Sequence, residues 1–225
     1  MIPWIKIDTA RVPGTDGELR LMRRGADFSI MLGTNELMNS RLSGSEAALA
    51  TLAARKLEAI REPHLLIGGL GMGFTLRAAL AVLGSGARIV VAELVPAVVA
   101  WARGPMAEIF GDSLGDPRVS IDETDVSEII RSCDSKFDAI LLDVDNGPEG
   151  LTRKANDALY SSAGLNAAYT AQGPGGVLAV WSSGPNAAFS KRLRTARFDV
   201  NEVQVRATGR GGGARHVIWI ATKDK

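Results

Sequence analysis

From residue 64 onward, short apolar runs alternate along the chain with segments that carry a helical pattern. The apolar runs are HLLIGG, ARIVVAE, RVSID, FDAILLD and GGVLAVW. The helical segments between them cover residues 73–83, 95–103, 125–132 and 152–172. The runs are nearly continuous, as expected of strands whose two faces are both covered by helices. The pattern therefore predicts an α/β protein with a doubly wound, mostly parallel, Rossmann-like sheet.

The two ends of the chain depart from this rhythm. Residues 1–44 predict a small β-rich region with the short runs ELRLMRR and ADFSIML, and residues 45–225 predict the Rossmann-like domain. Ser43 and Glu46 have the spacing of a capping box, which predicts the start of a helix. Near the C terminus, FDVNEVQVRA and RHVIWIAT are joined by TGRGGGA, so we expect a hairpin that forms an antiparallel edge of the sheet.

Composition and charge limit the kinds of binding partner and the cellular location that we expect for this protein. The 225-residue chain has a net charge of +1, so no overall field favours nucleic acid or an anionic membrane. No apolar run approaches the ~20 residues of a membrane span, and the N terminus lacks a signal-peptide pattern. The single cysteine, Cys133, excludes an internal disulfide and fits a reducing compartment. We therefore expect a cytoplasmic protein that binds neither nucleic acid nor membranes.

The stretch LLIGGLGMGF places several glycines at a predicted strand-to-helix turn. Gly69, Gly71 and Gly73 form a G-x-G-x-G pattern, which lets a ligand approach backbone amides at a helix N terminus or forms only a tight turn. Glu93 ends the next strand, where a carboxylate can accept hydrogen bonds from ribose hydroxyls. Asp125 follows the third strand and suits an adenine amino group, although a helix N-cap explains it equally well. Together these strand ends predict a nucleoside site.

The details of the glycine loop favour one kind of nucleoside. A dinucleotide favours G-x-G-x-x-G, and the loop has no P-loop lysine, which disfavours ATP. A sulfonium nucleoside, S-adenosylmethionine or a relative, fits better. The C-terminal hairpin is also typical of class I methyltransferase-type folds.

Several segments resemble the spermidine synthase family of aminopropyltransferases, which share that fold. These segments are LLIGGLGMGFTLRAAL, VVAELVPAVV, DPRVSIDETDV and FDAILLDVDNGPEGL, and the resemblance covers about residues 64–185. It implies that Glu93 binds the ribose, that Asp125 binds the adenine, and that Asp143 is the catalytic aspartate. It also implies a donor site in the loop made by Gly69 to Gly73.

Two departures from that family bear on the reaction. Met72 stands where the family has an aspartate that holds the amine of decarboxylated S-adenosylmethionine. The tyrosine and glutamine with which the family receives the polyamine are absent, and that region reads SGSEAALATL. The donor pocket of the family is therefore expected here, whereas its polyamine pocket is not.

The acceptor side is predicted around the end of the fourth strand. Asp143, Asp145 and Glu149 lie in or after it, and a strand-end acid can act as a general base toward an amine or hydroxyl. Metal-dependent catechol-type methyltransferases also begin their site with Asp-x-Asp, but they need a further Asp-Asn pair, and Asn186 is too far along. We expect no metal. Trp181 lines this pocket or belongs to the core.

Other residues near the C terminus allow two interpretations. Arg206, Arg210 and Arg215 surround the glycine-rich hairpin tip, where they either solubilise it or clamp an anionic acceptor. We interpret His64 as a residue at a strand entry and His216 as part of an edge strand.

Taken together, these features predict a transferase that uses an S-adenosylmethionine-type donor, with Asp143 and Asp145 as catalytic residues. The predicted cofactor-binding residues are Gly69, Gly71, Met72, Gly73, Glu93 and Asp125. Because Met72 replaces the donor-binding aspartate, the leading interpretation is methyl transfer from S-adenosylmethionine to a small-molecule acceptor. The alternatives are aminopropyl transfer from decarboxylated S-adenosylmethionine and a non-catalytic nucleoside-binding protein. We also expect a homodimer.

Overall fold

The computed structural model describes residues 2–144, 147–148, 158–208 and 213–225. A first sheet has four antiparallel strands in the order β1-β2-β3-β4. Its strands are β1 (Ile5–Arg11), β2 (Glu18–Arg24), β3 (Asp27–Leu32) and β4 (Asn35–Asn39). We predicted only β2 and β3. Strand β1 offers little signal because its side chains are exposed or half-buried, without a buried face.

The second sheet has seven strands in the order β10-β11-β9-β8-β5-β6-β7. Its strands are β5 (His64–Gly68), β6 (Arg88–Ala92), β7 (Val119–Asp122), β8 (Phe137–Leu142), β9 (Gln172–Ser182), β10 (Asp199–Arg206) and β11 (Arg215–Thr222). Strands β5 to β9 pair in parallel where they are neighbours, as predicted. The fold is thus a mostly parallel α/β sheet of the class I methyltransferase type, beside a separate N-terminal sheet.

Among the described residues, helices form at the predicted places and also at Ala107–Phe110 and Ala187–Thr195, where none was predicted. They are α1 (Gly44–Ala54), α2 (Phe74–Val82), α3 (Pro96–Arg103), α4 (Ala107–Phe110), α5 (Val126–Ser132), α6 (Ser162–Ala171) and α7 (Ala187–Thr195), with a 3-10 helix at Gly111–Gly115. The segment predicted as a helix over 152–172 corresponds to α6, and its first residues lie outside the described part of the chain.

The C-terminal hairpin forms as predicted, but its reversed strand does not lie at the edge. Strand β11 inserts between β9 and β10 and runs antiparallel to both, so β10 becomes the outer strand. The side chains explain this order. Strand β11 carries the buried run Val217–Ala221, whereas β10 alternates exposed and half-buried residues. The more apolar strand takes the interior position, where both of its faces are covered.

Two apolar clusters fill the molecule, one on each face of the large sheet. Strand β5 contributes Leu65 and Ile67 to one cluster and Leu66 to the other, because successive side chains of a strand point to opposite faces. The first cluster also contains Leu21 and Ile30 of the N-terminal sheet. The shared cluster therefore holds the N-terminal sheet against the Rossmann-like sheet.

The predicted capping box at the start of α1 does not form. The Ser43 side chain makes no capping hydrogen bond. The hydroxyl of Ser45 instead donates to the carboxylate of Glu46 at 2.7 Å. Ser45 lies beside His216 of β11, and this tertiary contact overrides the local preference at the helix end.

Candidate active site

A cavity of about 220 Å³ lies where the carboxyl ends of β5, β6 and β8 approach the N-terminal sheet. Parallel α/β sheets bind their ligands at this edge. From the N-terminal sheet and its turns, the apolar wall comprises Val12, Leu19, Ile30, Leu32, Leu37 and Met38. From the Rossmann-like sheet, the cavity receives Gly69, Gly71, Glu93, Asp125 and Asp143. The structure therefore brings most of the predicted site residues to one cavity.

Two of the predicted glycines line this cavity, and the protein's own atoms explain why no side chain is present there. At Gly69 the φ angle is +92°, and a Cβ atom would lie 2.5 Å from the carbonyl oxygen of Asp143. At Gly71 the φ angle is +51°, and a Cβ atom would lie 2.9 Å from the sulfur of Met38. The loop thus lies against the backbone of Asp143 at Gly69 and against the Met38 side chain at Gly71, and both positions have the left-handed backbone that favours glycine.

Met72 and Gly73 lie outside the lining of the cavity. The side chain of Met72 is only 3% exposed and packs in the apolar core. Gly73 has a φ angle of +74°, and a Cβ atom there would lie 2.4 Å from the ring of Phe110. Both residues therefore face the protein interior on the side of the Cβ atom. Only their backbone atoms could contact a ligand, and that role stays a prediction.

Glu93 follows β6 directly and is only 8% exposed. Its two carboxylate oxygens accept hydrogen bonds from the backbone N–H groups of Leu70 and Val95, each at 2.9 Å. Burial raises the pKa of Glu93, and these hydrogen bonds oppose that rise. Glu93 therefore ties the glycine loop to the start of α3 while it faces the cavity. Sequence reasoning missed this structural role.

Asp125 caps a helix and also lines the cavity, while its predicted role in adenine binding stays a prediction. Its carboxylate accepts a hydrogen bond from the backbone N–H of Ser127 at 2.8 Å, which makes it the N-cap of α5. Asp125 also lines the cavity beside Thr124 and Val126. A carboxylate has lone pairs beyond the one used by the cap, so the same side chain can accept from a ligand.

Asp143 follows β8 directly and is partly accessible from the cavity. The hydroxyl of Thr75 at the start of α2 donates to its carboxylate at 2.6 Å. Burial and, to a smaller extent, the charge of Glu46 raise the pKa of Asp143 to about 7, although the Thr75 hydrogen bond opposes them. A carboxyl group with a pKa near neutrality can take up a proton during a reaction. Asp145 and Glu149, also predicted here, lie outside the described residues.

Three solved structures with a similar fold are spermidine synthases. A spermidine synthase in complex with the transition-state analogue AdoDATO aligns with a TM-score of 0.75 at 18% identity, covering 97% of this chain and 72% of the other. Spermidine synthase from Thermotoga maritima gives 0.73 at 19% identity, with the same coverage. A probable spermidine synthase from Corynebacterium glutamicum gives 0.66 at 14%, covering 97% and 79%. The chain has the fold of the spermidine synthases.

Neither a protein-family model nor a curated protein matches the sequence of this chain. At identities of 14–19%, the likeness to spermidine synthases concerns the fold. The resemblance that the sequence motifs indicated is therefore confirmed at the level of architecture. The chemistry must be argued from the residues that this chain places in the site.

Within this spermidine synthase fold, a chain of polar side chains leads to Glu46, and the sequence did not reveal it. Nδ1 of His216 lies 2.9 Å from the hydroxyl of Ser45, which in turn donates to Glu46. Because Ser45 gives its proton to Glu46, Nδ1 of His216 must be the donor to Ser45. The ring of His216 also packs edge-on against Trp181, with centroids 4.8 Å apart. These residues come from opposite ends of the chain, so no local pattern could connect them.

The ionisable side chains among the described residues that line the cavity are all acidic. They are Glu93, Asp125 and Asp143. No lysine, arginine or histidine stands among those lining residues. The part of the chain that the structure describes also contains no group of three side chains that could hold a metal ion. Within that same part, no helix has the length and apolar character needed to cross a membrane.

Proposed function

We propose that this chain transfers an aminopropyl group from decarboxylated S-adenosylmethionine to an amine. The observation that carries the proposal is the charge of the cavity, where three acidic side chains meet no basic one among the described lining residues. Both the donor and an amine acceptor would be cationic. The spermidine synthase fold, shared with a protein solved with the analogue AdoDATO, supports the same reaction class.

The charge argument discriminates between the two possible donors. S-adenosylmethionine carries a carboxylate in addition to its sulfonium and ammonium groups, whereas the decarboxylated donor carries only the cations. Two like charges about 8 Å apart repel each other by about 2 kcal/mol at an effective dielectric constant of 20. A donor carboxylate in this cavity would bear this cost wherever it faces an ionised acidic side chain, and it would find no basic partner among the described lining residues.

We assign to Asp143 the role of the base that accepts the proton of the acceptor amine. In the proposed step the amine nitrogen forms a bond to the propyl carbon next to the sulfonium. The bond between that carbon and sulfur breaks, and its electron pair leaves with sulfur as a neutral thioether. The amine proton passes to the carboxylate of Asp143, whose pKa of about 7 suits a base near neutral pH. Positioning of the two reactants provides the rest of the rate enhancement.

Methyl transfer from S-adenosylmethionine is the second candidate, and Met72 is the observation that favours it. The family position that holds the donor amine carries no carboxylate here, and Met72 is packed in the core. The tyrosine and glutamine of the polyamine site are also absent from SGSEAALATL. These substitutions weaken the case for the family's own polyamine substrate. They do not supply a group that would bind a donor carboxylate.

Product analysis separates the candidates. The protein is incubated with each donor and a mixture of small diamines and polyamines, and the nucleoside products are identified by mass spectrometry. Aminopropyl transfer leaves 5′-methylthioadenosine, whereas methyl transfer leaves S-adenosylhomocysteine. We expect 5′-methylthioadenosine, formed only with the decarboxylated donor. S-adenosylhomocysteine as the product would establish methyl transfer instead, and binding without turnover of either donor would identify a non-catalytic nucleoside-binding protein.

A matched pair of variants links the product to the site. Asp143→Asn keeps the shape of the side chain but cannot accept the proton, so turnover should fall by roughly 10²-fold or more. Asp112→Asn makes the same change at an exposed carboxylate and should leave turnover unaltered. Full activity of Asp143→Asn would remove Asp143 from the reaction. The cytoplasmic location and the homodimer expected from the sequence remain predictions.

A further inference from the structure

Two groups near Asp143 have opposite effects on the pKa of its carboxyl group. Thr75 of α2 donates to the carboxylate of Asp143, and its oxygen also lies 3.3 Å from the backbone carbonyl of Glu46. Thr75 thereby bridges the strand that carries Asp143 and the helix that carries Glu46. The side chain of Glu46 presents the nearby negative charge that acts on Asp143.

Glu46 is held in place by neighbours that do not contact Asp143. Its carboxylate accepts the Ser45 hydroxyl at 2.7 Å, and Ser45 accepts from His216. Burial lowers the pKa of His216, and Glu46 opposes that change. A neutral His216 still donates through Nδ1, so the hydrogen bonds from His216 through Ser45 to Glu46 are complete.

We propose that Glu46 and Thr75 are positioning residues that together let Asp143 hold and release a proton at neutral pH. Glu46 opposes a second negative charge at Asp143. Thr75 stabilises the ionised carboxylate by donating to it. This inference rests on the proposed function, in which Asp143 accepts the proton of the acceptor amine.

The Thr75 contacts allow both states of Asp143 to remain hydrogen-bonded. When Asp143 is ionised, the Thr75 hydroxyl donates to it at 2.6 Å. When Asp143 is protonated, its own O–H donates to Thr75, whose proton then turns to the carbonyl of Glu46 at 3.3 Å. Since a buried polar group that loses its partner costs free energy, it matters that neither state loses its hydrogen bond to Thr75.

Other ionisable side chains near Asp143 have hydrogen-bond partners of their own. Glu93 after β6 and Asp125 before α5 line the same cavity, and His216 of β11 reaches the region through Ser45. Glu93 is committed to backbone N–H groups of the glycine loop and α3, and Asp125 caps α5. Thr75 is therefore the residue whose hydrogen bonds connect Asp143 to the helix that carries Glu46.

The experiment measures the titration of the Asp143 carboxyl carbon by NMR in the labelled, ligand-free protein. Its resonance is identified by its loss in Asp143→Asn. We expect Glu46→Gln, which keeps the Ser45 contact but removes the charge, to lower the titration midpoint by about one pH unit. We expect Thr75→Val to raise the midpoint by a similar amount, because the ionised form loses its donor.

Matched variants control for general effects. Thr75→Ser retains the hydroxyl and should restore the wild-type midpoint. Glu58→Gln makes the same change as Glu46→Gln at an exposed position after α1 and should leave the midpoint unaltered. Shifts of equal sign in Glu46→Gln and Thr75→Val, or no shift in Glu46→Gln, would overturn the inference.

Because no donor or acceptor is present, this result is independent of the reaction. Opposite shifts without formation of an aminopropyl product would support the inference and refute the proposed function. Formation of the aminopropyl product without those shifts would support the proposed function and refute the inference. In the active protein, the acid limb of the kcat/KM profile should move in the same direction as the NMR midpoint in each variant.

Discussion

Asp143→Asn tests the electrostatics of the candidate active site through stability, without any substrate. Folding raises the pKa of this carboxyl group from 3.8 to about 7, chiefly through burial. The folded protein therefore holds the proton more tightly than the unfolded chain does. The stabilisation from that proton is fully present below about pH 3.8 and is lost as the pH rises to about 7. Asparagine is neutral over this whole pH range, so the Asp143→Asn variant has no such pH-dependent loss of stability.

The size of the effect follows from the shift. A change from 3.8 to about 7 corresponds to about 4 kcal/mol, at 1.36 kcal/mol per pH unit. Asp143 is partly accessible, so solvent screening reduces the cost of its charge. We expect the free energy of unfolding of Asp143→Asn, relative to wild type, to increase by about 2–4 kcal/mol between pH 4 and pH 8.

Urea unfolding of both proteins at several pH values measures this difference. Comparing one variant across pH cancels any constant effect of the amide group, such as an unsatisfied N–H. Asp112→Asn, at an exposed carboxylate, controls for the general loss of a negative charge. A difference that stays constant from pH 4 to pH 8, or that shrinks as the pH rises, would refute the account of Asp143 as a buried carboxyl that resists ionisation.

Two further predictions concern the glycine loop. Glu93→Gln replaces an oxygen that accepts a backbone N–H by an amide donor, so it should cost ~1–3 kcal/mol of stability and weaken binding of 5′-methylthioadenosine. Calorimetry that shows unchanged affinity would exclude Glu93 from the binding site. Gly73→Ala should destabilise the protein by about 2 kcal/mol or more, because its Cβ atom would overlap the Phe110 ring. Urea unfolding measures this loss against Gly84→Ala, whose Cβ atom meets nothing within 4 Å, and equal stability of the two variants would contradict it.

Much of the Rossmann-like sheet was predictable from the sequence because its signals are local. The parallel strands other than β7 are nearly continuous apolar runs, and a predicted helical segment follows each of β5 to β8. Since ligands bind at the carboxyl ends of such strands, the positions of Glu93, Asp125 and Asp143 follow from counting to the end of each run. The structure places these three residues at one cavity.

The N-terminal sheet was predicted only in part, for an equally local reason. Strand β1 has no buried face, and so it lacks the alternation that identifies a half-buried strand. Its position depends on pairing with β2 and on the apolar cluster that the two sheets share. That this sheet also supplies a wall of the cavity was not visible in its sequence.

Tertiary structure alone decided the features that join distant parts of the chain. The pattern of the hairpin could not show that β11 inserts beside β9, because that choice depends on which strand gains more from burial. The glycine spacing did not show which neighbours exclude a side chain from the loop. These neighbours are the Phe110 ring at Gly73 and the backbone carbonyl of Asp143 at Gly69. Nothing in the local sequence joins Ser45 to His216. Periodicity reports which face of an element is buried, whereas the partner on that face is determined by packing.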